Sequence, residues 1–154
     1  SVNVAELVEA SVAPSDHYQI STENLPRLVT PRAPLEHVLG NLIRNAVQHH
    51  DQSVAHIKVT AERRPCGWGV CVTDDGPGIP PRLQERVFTM FLSLNPGPDR
   101  FGIGLPLVQR ILERLGGTIT CESPVADERG TRMRVFWPSK WRHPEKASSR
   151  AALG

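Results

Sequence analysis

The stretch Asp74-Asp75-Gly76-Pro77-Gly78-Ile79-Pro80 (DDGPGIP, residues 74–80) follows directly on the run GVCVT at residues 69–73. The run is typical of a buried strand, so Asp74 is predicted to lie at a strand end, with the glycines forming the next turn. Asp, Gly and Pro are also the ordinary residues of turns. Taken alone, the stretch fits a plain turn and a functional loop equally well, and the rest of the chain has to distinguish them.

The composition indicates one domain and argues against a nucleic-acid partner. The 154 residues are enough to bury a sizeable core, and the formal charge is only +2. Four basic residues and a single acid are concentrated after residue 137, and they are Lys140, Arg142, Lys146, Arg150 and Glu145. A near-neutral body with a short basic tail is not typical of a nucleic-acid-binding surface. We therefore expect a folded domain over 1–137 and a disordered tail over 138–154.

The cysteines and the hydropathy favour a cytoplasmic setting. No apolar run approaches the length of a membrane span and no signal peptide is visible, so no direct membrane contact is expected. The three cysteines, Cys66, Cys71 and Cys121, match no zinc-binding spacing. Two of them fall in predicted strands, where a buried reduced thiol is the simplest interpretation. A reducing compartment fits this usage.

Hydrophobic periodicity and turn residues predict helices and strands that are mixed but do not strictly alternate, which favours an α+β fold. Helices are predicted at 3–10, from about Pro34 to His50, at 81–88 and at 105–115, the last ended by Gly116-Gly117. Strands are predicted at 17–22, 27–30, 57–64, 68–73, 118–123 and 131–137.

The helix from Pro34 to His50 has one apolar face and one polar face. On a helical wheel the apolar face collects Leu35, Val38, Leu39, Leu42, Ile43, Ala46 and Val47. Asn41 and Asn45 lie one turn apart on the other side, together with His37, Arg44 and Gln48. A plain solvated face would favour Glu, Lys or Gln over Asn, so two amide oxygens at this spacing are a candidate site for a hard cation such as Mg²⁺. The helix alone leaves both interpretations open.

His49-His50-Asp51 invites a metal assignment that the geometry does not favour. Adjacent helical residues diverge by about 100°, so the two imidazoles are poorly placed to share one ion. We interpret this stretch as a helix end.

A second glycine run, Gly102-Ile103-Gly104-Leu105-Pro106, leads directly into a predicted helix. Bare glycines let a phosphate approach the backbone, and a helix N-terminus offers free N–H groups. The run is neither a P-loop nor a dinucleotide fingerprint, because GxxxxGK[ST] is absent and position 107 is Leu. Without further context, a flexible loop entering a helix explains the run equally well.

The order of these features resembles that of one family over nearly the whole chain to about Trp137. An Asn-bearing helix is followed by strand–Asp-x-Gly-x-Gly, by Phe88-x-x-Phe91 and by Gly-x-Gly at a helix start. This order is similar to that of the ATP-binding catalytic domain of sensor histidine kinases, in the superfamily that includes DNA gyrase, the heat-shock chaperone and the mismatch-repair ATPase. The resemblance implies a two-layer α/β sandwich, in which one layer of helices covers one face of a mixed sheet.

The resemblance also implies roles for individual residues. Asp74 matches the aspartate that accepts a hydrogen bond from the exocyclic amine of adenine, with Thr131 helping to hold it. Asn45 matches the Mg²⁺ ligand, and Phe88 and Phe91 match the aromatic pair at the base of the ATP lid. The implied ATP-binding set is Asn41, Asn45, Gln48, Asp74, Gly76, Gly78, Ile79, Phe88, Phe91, Arg100, Gly102, Ile103, Gly104, Leu105 and Thr131. Within it, Asn41 and Asn45 are the implied catalytic residues and Asn45 the metal ligand.

By the same resemblance, the domain is expected to bind Mg·ATP and to donate the γ-phosphate to a histidine on a separate helical dimerisation and phosphoacceptor domain. A response regulator would be the further partner. The parent protein would be a two-component sensor kinase, and this domain would be cytoplasmic even if the parent is anchored in a membrane.

Two alternatives stay open at this point. The first alternative is an ATPase or serine kinase of the same superfamily. Hydrolysing relatives carry Glu as a base for water where this chain has Asn41, which argues against the ATPase. Gln48 stands where relatives often carry Lys, and Arg100-Phe101 stands where small residues commonly precede the glycines. These departures leave room for a degenerate nucleotide-sensing module that acts by contact.

Overall fold

The computed structural model describes residues 1–12, 15–48, 50–84, 104–125 and 129–140. In chain order the elements are β1 (Val2–Asn3), α1 (Val4–Ala10), β2 (Tyr18–Glu23), β3 (Arg27–Leu28), α2 (Arg32–Gln48), β4 (Ala55–Arg64), β5 (Gly67–Asp74), α3 (Pro81–Gln84), α4 (Gly104–Leu115), β6 (Thr118–Glu122) and β7 (Thr131–Pro138).

Five strands form one mixed sheet in the order β2-β4-β5-β7-β6. β2 and β4 run parallel, whereas β4 with β5, β5 with β7, and β7 with β6 are antiparallel. β5 is therefore central, and its last residue, Asp74, lies opposite Thr131 of β7. A central strand is held on both sides, so its end is a rigid place for a functional side chain.

Alternating side chains give the sheet one apolar face. In β4, Ala55, Ile57 and Val59 are buried while His56 and Lys58 are exposed. The same period of two is found in β5 and β7, whose buried residues are Val70, Val72, Met133, Val135 and Trp137. Since only one face is apolar, helices need to cover only that face.

The helices form a single layer on the apolar face. α2 packs on β4 and β5, α4 packs on β6 and on α2, and α1 packs on α2. The contacts bury a continuous core that includes Leu39 and Ile43 of α2 and Val108 and Leu112 of α4. The two-layer α/β sandwich expected from the sequence is confirmed.

The long helices agree closely with the sequence patterns. α2 begins at Arg32, two residues before Pro34, and six of the seven predicted apolar positions are buried, with Val47 packed against the core. α4 ends at Leu115, where Gly116 adopts φ +89° and the N–H of Gly117 donates to the carbonyl of Leu112 at 2.7 Å. A left-handed glycine that closes a helix is a common C-terminal motif.

Shorter elements differ from the predictions. The strand expected at 27–30 is only Arg27–Leu28, and it pairs with β1, which the sequence did not indicate. Val29 is 83% exposed, because it lies beyond this short pairing. A strand of two residues is too short to show a periodicity. The sequence pattern therefore predicted a strand two residues longer than the one observed. The helix expected at 81–88 is seen over Pro81–Gln84, and the remainder lies outside the described residues.

Strand β7 extends one residue beyond the expected domain boundary at 137. Pro138 pairs with Gly67, and the N–H of Ser139 donates to the carbonyl of Cys66 at 2.8 Å. The rest of the expected tail, residues 141–154, lies outside the described residues. Among the helices that the structure describes, none is both long enough and apolar enough to cross a membrane. Cys66, Cys71 and Cys121 are free thiols, with Cys66 exposed and the other two half-buried.

Candidate functional site

Asp74 ends β5 with its carboxylate turned back on the following loop. Its Oδ1 accepts a hydrogen bond from the main-chain N–H of Gly76 at 2.9 Å, as in an Asx turn. The carbonyl of Gly76 in turn accepts from the N–H of Gly130 at 2.9 Å. The turn after β5 is therefore tied to the connection that leads into β7.

Two glycines of this region have backbone conformations that other residues rarely adopt. Gly78 has φ +83°, and a Cβ there would lie 2.8 Å from Oγ of Ser123. Gly130 has φ +89°, and a Cβ there would lie 2.7 Å from the carbonyl oxygen of Asp74. Because left-handed φ favours glycine, both positions specify it. The backbone conformation at position 78 thus favours glycine independently of the sequence motif.

Ser123 and Gln84 fix the turn from the other side. Oγ of Ser123 accepts from the N–H of Ile79 at 2.9 Å and donates to the carbonyl of Gly130 at 2.7 Å. Nε2 of Gln84 donates to the carbonyls of Ile79 at 2.9 Å and Ser123 at 2.8 Å. The sequence analysis singled out neither side chain. The Ser123–Ile79 and Gln84–Ser123 contacts join residues 44 and 39 positions apart, so no local pattern of residue types indicates them.

The environment of Asp74 makes its charge costly. Burial raises the pKa of Asp74 to about 6, against the lowering effects of the Gly76 N–H bond and of the nearby His50 imidazole. The main-chain N–H of Thr131, a buried residue, also lowers this pKa to a smaller extent. A carboxylate that is largely withdrawn from water, yet only partly compensated by hydrogen bonds, is well suited to accept a further donor from a ligand.

The neighbouring Asp75 has the opposite behaviour. Burial alone would raise its pKa, but hydrogen bonds from the main-chain N–H of His56 and from the His50 and His56 side chains lower it to about 2. Its Oδ1 lies 2.6 Å from Nε2 of His50, and its Oδ2 lies 3.0 Å from Nδ1 of His56. Asp75 is therefore a satisfied structural carboxylate, whereas Asp74 has capacity left.

α2 carries both predicted asparagines, one helical turn apart. Asn41 and Asn45 are half-buried, while His37, Arg44 and Gln48 on the predicted polar side are exposed. Nδ2 of Asn41 donates to the carbonyl of His37 at 2.7 Å, which uses the amide nitrogen and leaves the Oδ1 oxygen as the group for a ligand. α2 packs on β5, so the asparagine helix and the Asp74 strand are direct neighbours.

The remaining predicted residues divide into two groups. Phe88, Phe91, Arg100, Gly102 and Ile103 lie outside the described residues. Gly104 begins α4 as expected, whereas the side chains of Leu105 and Ile79 belong to the hydrophobic core.

The stretch His49-His50-Asp51 does not form a metal centre in the part of the chain that the structure describes. α2 ends at Gln48, His49 is outside the described residues, and His50 contacts Asp75. No group of three potential metal-ligating side chains is found among the described residues. His50 and Asp51 instead take part in contacts that the sequence did not reveal, since Arg129 binds Asp51 through Nη1 at 3.1 Å and Nη2 at 2.5 Å.

Beside these strand ends lies an open groove of about 500 Å³. Asp74, Asp75 and Arg129 contribute to its walls together with residues of β2 and β4, but no residue of α2 does.

Comparison with known proteins identifies the family. A family model described as histidine kinase-, DNA gyrase B- and HSP90-like ATPase matches residues 30–140. The sensor protein RstB of Escherichia coli (strain K12) is 34% identical over 108 residues, which are 68% of this chain and 24% of RstB. The sensor histidine kinase DcuS of the same strain is 43% identical over 93 residues, which are 59% of this chain and 17% of DcuS. The chain thus spans about a quarter or less of the length of these curated relatives.

Solved structures show the same architecture. The catalytic domain of the histidine kinase ThkA, in a nucleotide-free form, is 25% identical with a TM-score of 0.70, covering 94% of this chain and 95% of that one. Full-length ShkA in complex with AMPPNP has a TM-score of 0.73 at 22% identity, covering 92% of this chain and 31% of ShkA. Together with the matched family model, these similarities show that the chain belongs to the family of histidine kinase-, DNA gyrase B- and HSP90-like ATPases, as an ATP-binding domain of the histidine kinase type.

Proposed function

We propose that this chain binds Mg·ATP and presents the γ-phosphate to a histidine on a separate helical dimerisation and phosphoacceptor domain of a two-component sensor kinase. A response regulator would then receive the phosphoryl group from that domain. A cytoplasmic location follows from the supply of ATP that such a reaction needs. In this proposal the chain supplies nucleotide binding and orientation, and the partner supplies the nucleophile.

The observation that carries the proposal is the state of Asp74. A carboxylate can only accept hydrogen bonds, and the exocyclic amine of adenine is a donor at the position where guanine has an acceptor. Asp74 is held at the rigid end of β5 and its charge is incompletely compensated, as its raised pKa indicates. A donor from the base would offset part of the cost of keeping that charge buried.

The asparagines of α2 fit the metal that such a nucleotide would bring. Mg²⁺ bridging phosphates takes oxygen ligands and few of them from the protein. Asn45 would supply one oxygen and Asn41 would lie beside it, where its amide cannot serve as a base for water. Bound Mg²⁺ would neutralise phosphate charge. Because phosphoryl transfer depends mainly on positioning and charge neutralisation, amides and main-chain N–H groups are sufficient for the protein's part.

The first prediction concerns recognition of the base. Asp74→Asn replaces one acceptor oxygen by a donor that would face the adenine amine, so ATP binding should weaken by about 2 to 3 kcal/mol. Isothermal titration calorimetry on the folded variant measures this loss. Unchanged affinity would remove Asp74 from the base pocket, and equal affinity of the wild type for GTP would contradict adenine selectivity.

The second prediction concerns the cost of that carboxylate in the empty domain. The folded-state pKa of Asp74 is about 6 and its ordinary value is 3.8. The contribution of Asp74 to the free energy of unfolding is therefore fully present below pH 4, where the carboxyl is protonated, and is lost as the pH rises through 6. The shift corresponds to about 2 to 3 kcal/mol, so Asp74→Asn should be more stable than the wild type at pH 8 without nucleotide, by an amount of this order.

The matched variant for this second prediction is Asp75→Asn, which should behave in the opposite way. The pKa of Asp75 is lowered to about 2, so its contribution is present above pH 4 and is lost as the pH falls through 2. Asp75→Asn should therefore be less stable than the wild type at pH 8. Chemical denaturation at several pH values measures both, and two variants that shift stability in the same direction would refute the distinction.

The third prediction concerns the metal. Asn45→Ala should weaken ATP binding in the presence of Mg²⁺ by tenfold or more, at roughly 1.4 kcal/mol per factor of ten, because its amide acts through the cation. ADP binding in EDTA should change little. Exposed Arg44, one residue away, provides the control variant Arg44→Ala. Equal losses for both ligands would make Asn45 a structural residue.

The fourth prediction concerns the division of labour. Position 41 carries no base, and a docked acceptor supplies an effective molarity that an isolated domain lacks. The chain alone should neither label itself with γ-³²P-ATP nor hydrolyse ATP above a trace rate. Adding the helical phosphoacceptor domain of the same parent protein should give an acid-labile, base-stable phosphohistidine on that domain. Brisk hydrolysis by the isolated chain would favour an ATPase instead, and nucleotide binding without any transfer to the added domain would favour a sensing module.

A further inference from the structure

Asp75 connects three separate parts of the chain. Its Oδ1 lies 2.6 Å from Nε2 of His50, just after α2, and also accepts from the main-chain N–H of His56 at 2.9 Å, at the start of β4. Its main-chain carbonyl accepts from Nη2 of Arg129 at 3.1 Å, just before β7. The residue after Asp74 therefore fixes the exit of α2, one edge of β4 and the entry to β7 at a single point.

His50 is arranged as a donor to this carboxylate. Its side chain is only 4% exposed, and its Nδ1 accepts from the main-chain N–H of Gln52 at 2.9 Å. With Nδ1 used as an acceptor, the neutral ring carries its hydrogen on Nε2 and donates it to Asp75. A buried imidazole with both nitrogens engaged has one fixed orientation, so it transmits the position of the α2 exit to β5.

A second contact reinforces the same segment. Both guanidinium nitrogens Nη1 and Nη2 of Arg129 reach the carboxylate of Asp51, the residue next to His50. A bidentate pair constrains direction as well as distance. His50 and Asp51, which come shortly after α2, are thus each bonded to residues around Asp74.

We propose that His50 and Asp75 are a positioning pair, which holds the exit of α2 against the end of β5 so that Asn45 and Asp74 can engage the same nucleotide. This inference rests on the function proposed above, for which His50 and Asp75 would be the supporting residues. Asp74 and Asn45 would touch the base and the metal-bound phosphates, respectively, whereas His50 and Asp75 act only through them.

The different roles of Asp74 and Asn45 predict which nucleotide binds more weakly when the His50–Asp75 pair is broken. ADP without metal depends mainly on Asp74, which stays attached to its own strand when the pair is broken. Mg·ATP requires Asp74 and Asn45 together, so it depends on how α2 sits relative to β5. A displacement of about 1 Å can cost two orders of magnitude where groups must act together, and a partial release should cost about tenfold.

The experiment compares dissociation constants for Mg·ATP and for ADP in EDTA in the 154-residue chain and its variants, each checked for folding by thermal melting. His50→Leu retains the bulk of the ring and removes the donor, and we expect Mg·ATP to weaken about tenfold while ADP changes less than about twofold. His50→Gln restores a donor near Nε2 and should recover most of the loss. Lys58→Gln removes an exposed partner of Glu23 on β4 and serves as the surface control.

A second member of the pair keeps the test decisive if His50→Leu does not fold. Asp75→Ala removes the acceptor altogether and should show the same selective loss, and the double variant with His50→Leu, where it folds, should show little further selective loss, because both single variants remove the same His50–Asp75 contact. Equal weakening of both ligands, wild-type binding by His50→Leu, or no recovery in His50→Gln would each overturn the positioning role alone. A wild-type chain that binds neither ligand would overturn the proposed function, and the positioning role with it.

Discussion

The arrangement of the site depends on keeping one carboxylate, that of Asp74, largely out of water at the end of a central strand. Burial raises its pKa to about 6, and the loop chemistry around it limits that cost without removing it. The N–H of Gly76 compensates one oxygen at 2.9 Å, and Gly130 allows the chain leading into β7 to pass close to the Asp74 carbonyl. Ser123 then locks the loop through two hydrogen bonds. The glycines and the serine thus fix the path of the loop around the carboxylate.

Adjacent residues with the same side chain have opposite roles because a strand end separates their environments. Asp74 is still part of the ladder with β7 and lies opposite Thr131, whereas Asp75 has left the ladder and meets His50 and His56. One carboxylate has its charge opposed by burial, and the other has its charge supported by donors. A sequence pattern that contains two successive acids cannot express this difference, since it arises from which neighbours the fold brings to each oxygen.

The sequence predicts the structure well where an element is specified by its own neighbouring residues or by a regular spacing of apolar residues. The apolar face of α2, the glycine end of α4 and the existence of strands β4, β5 and β7 are each predicted from residues within one element, and the structure confirms them. The contacts of Ser123 with Ile79 and of Arg129 with Asp51 join residues 44 and 78 positions apart, so no local pattern contains them. The short pair of β1 and β3 was missed for a different reason, because two residues are too few for a period to be visible. The roles assigned to residues 88–103 depend on the family resemblance alone, as those residues lie outside the described part of the chain.

A site built around a charge that costs stability links ligand binding to folding. A ligand that binds only the folded state stabilises it in proportion to its concentration over its dissociation constant. If that ligand also donates a hydrogen bond to Asp74, it lowers the very cost that the empty domain bears, so part of its binding free energy comes from relieving the protein. Beside that carboxylate, Asp75, His50 and Arg129 are held by several hydrogen bonds. The partly compensated carboxylate of Asp74 thus stands next to Asp75, whose hydrogen bonds with His50 and His56 hold the segment that follows α2 beside β5.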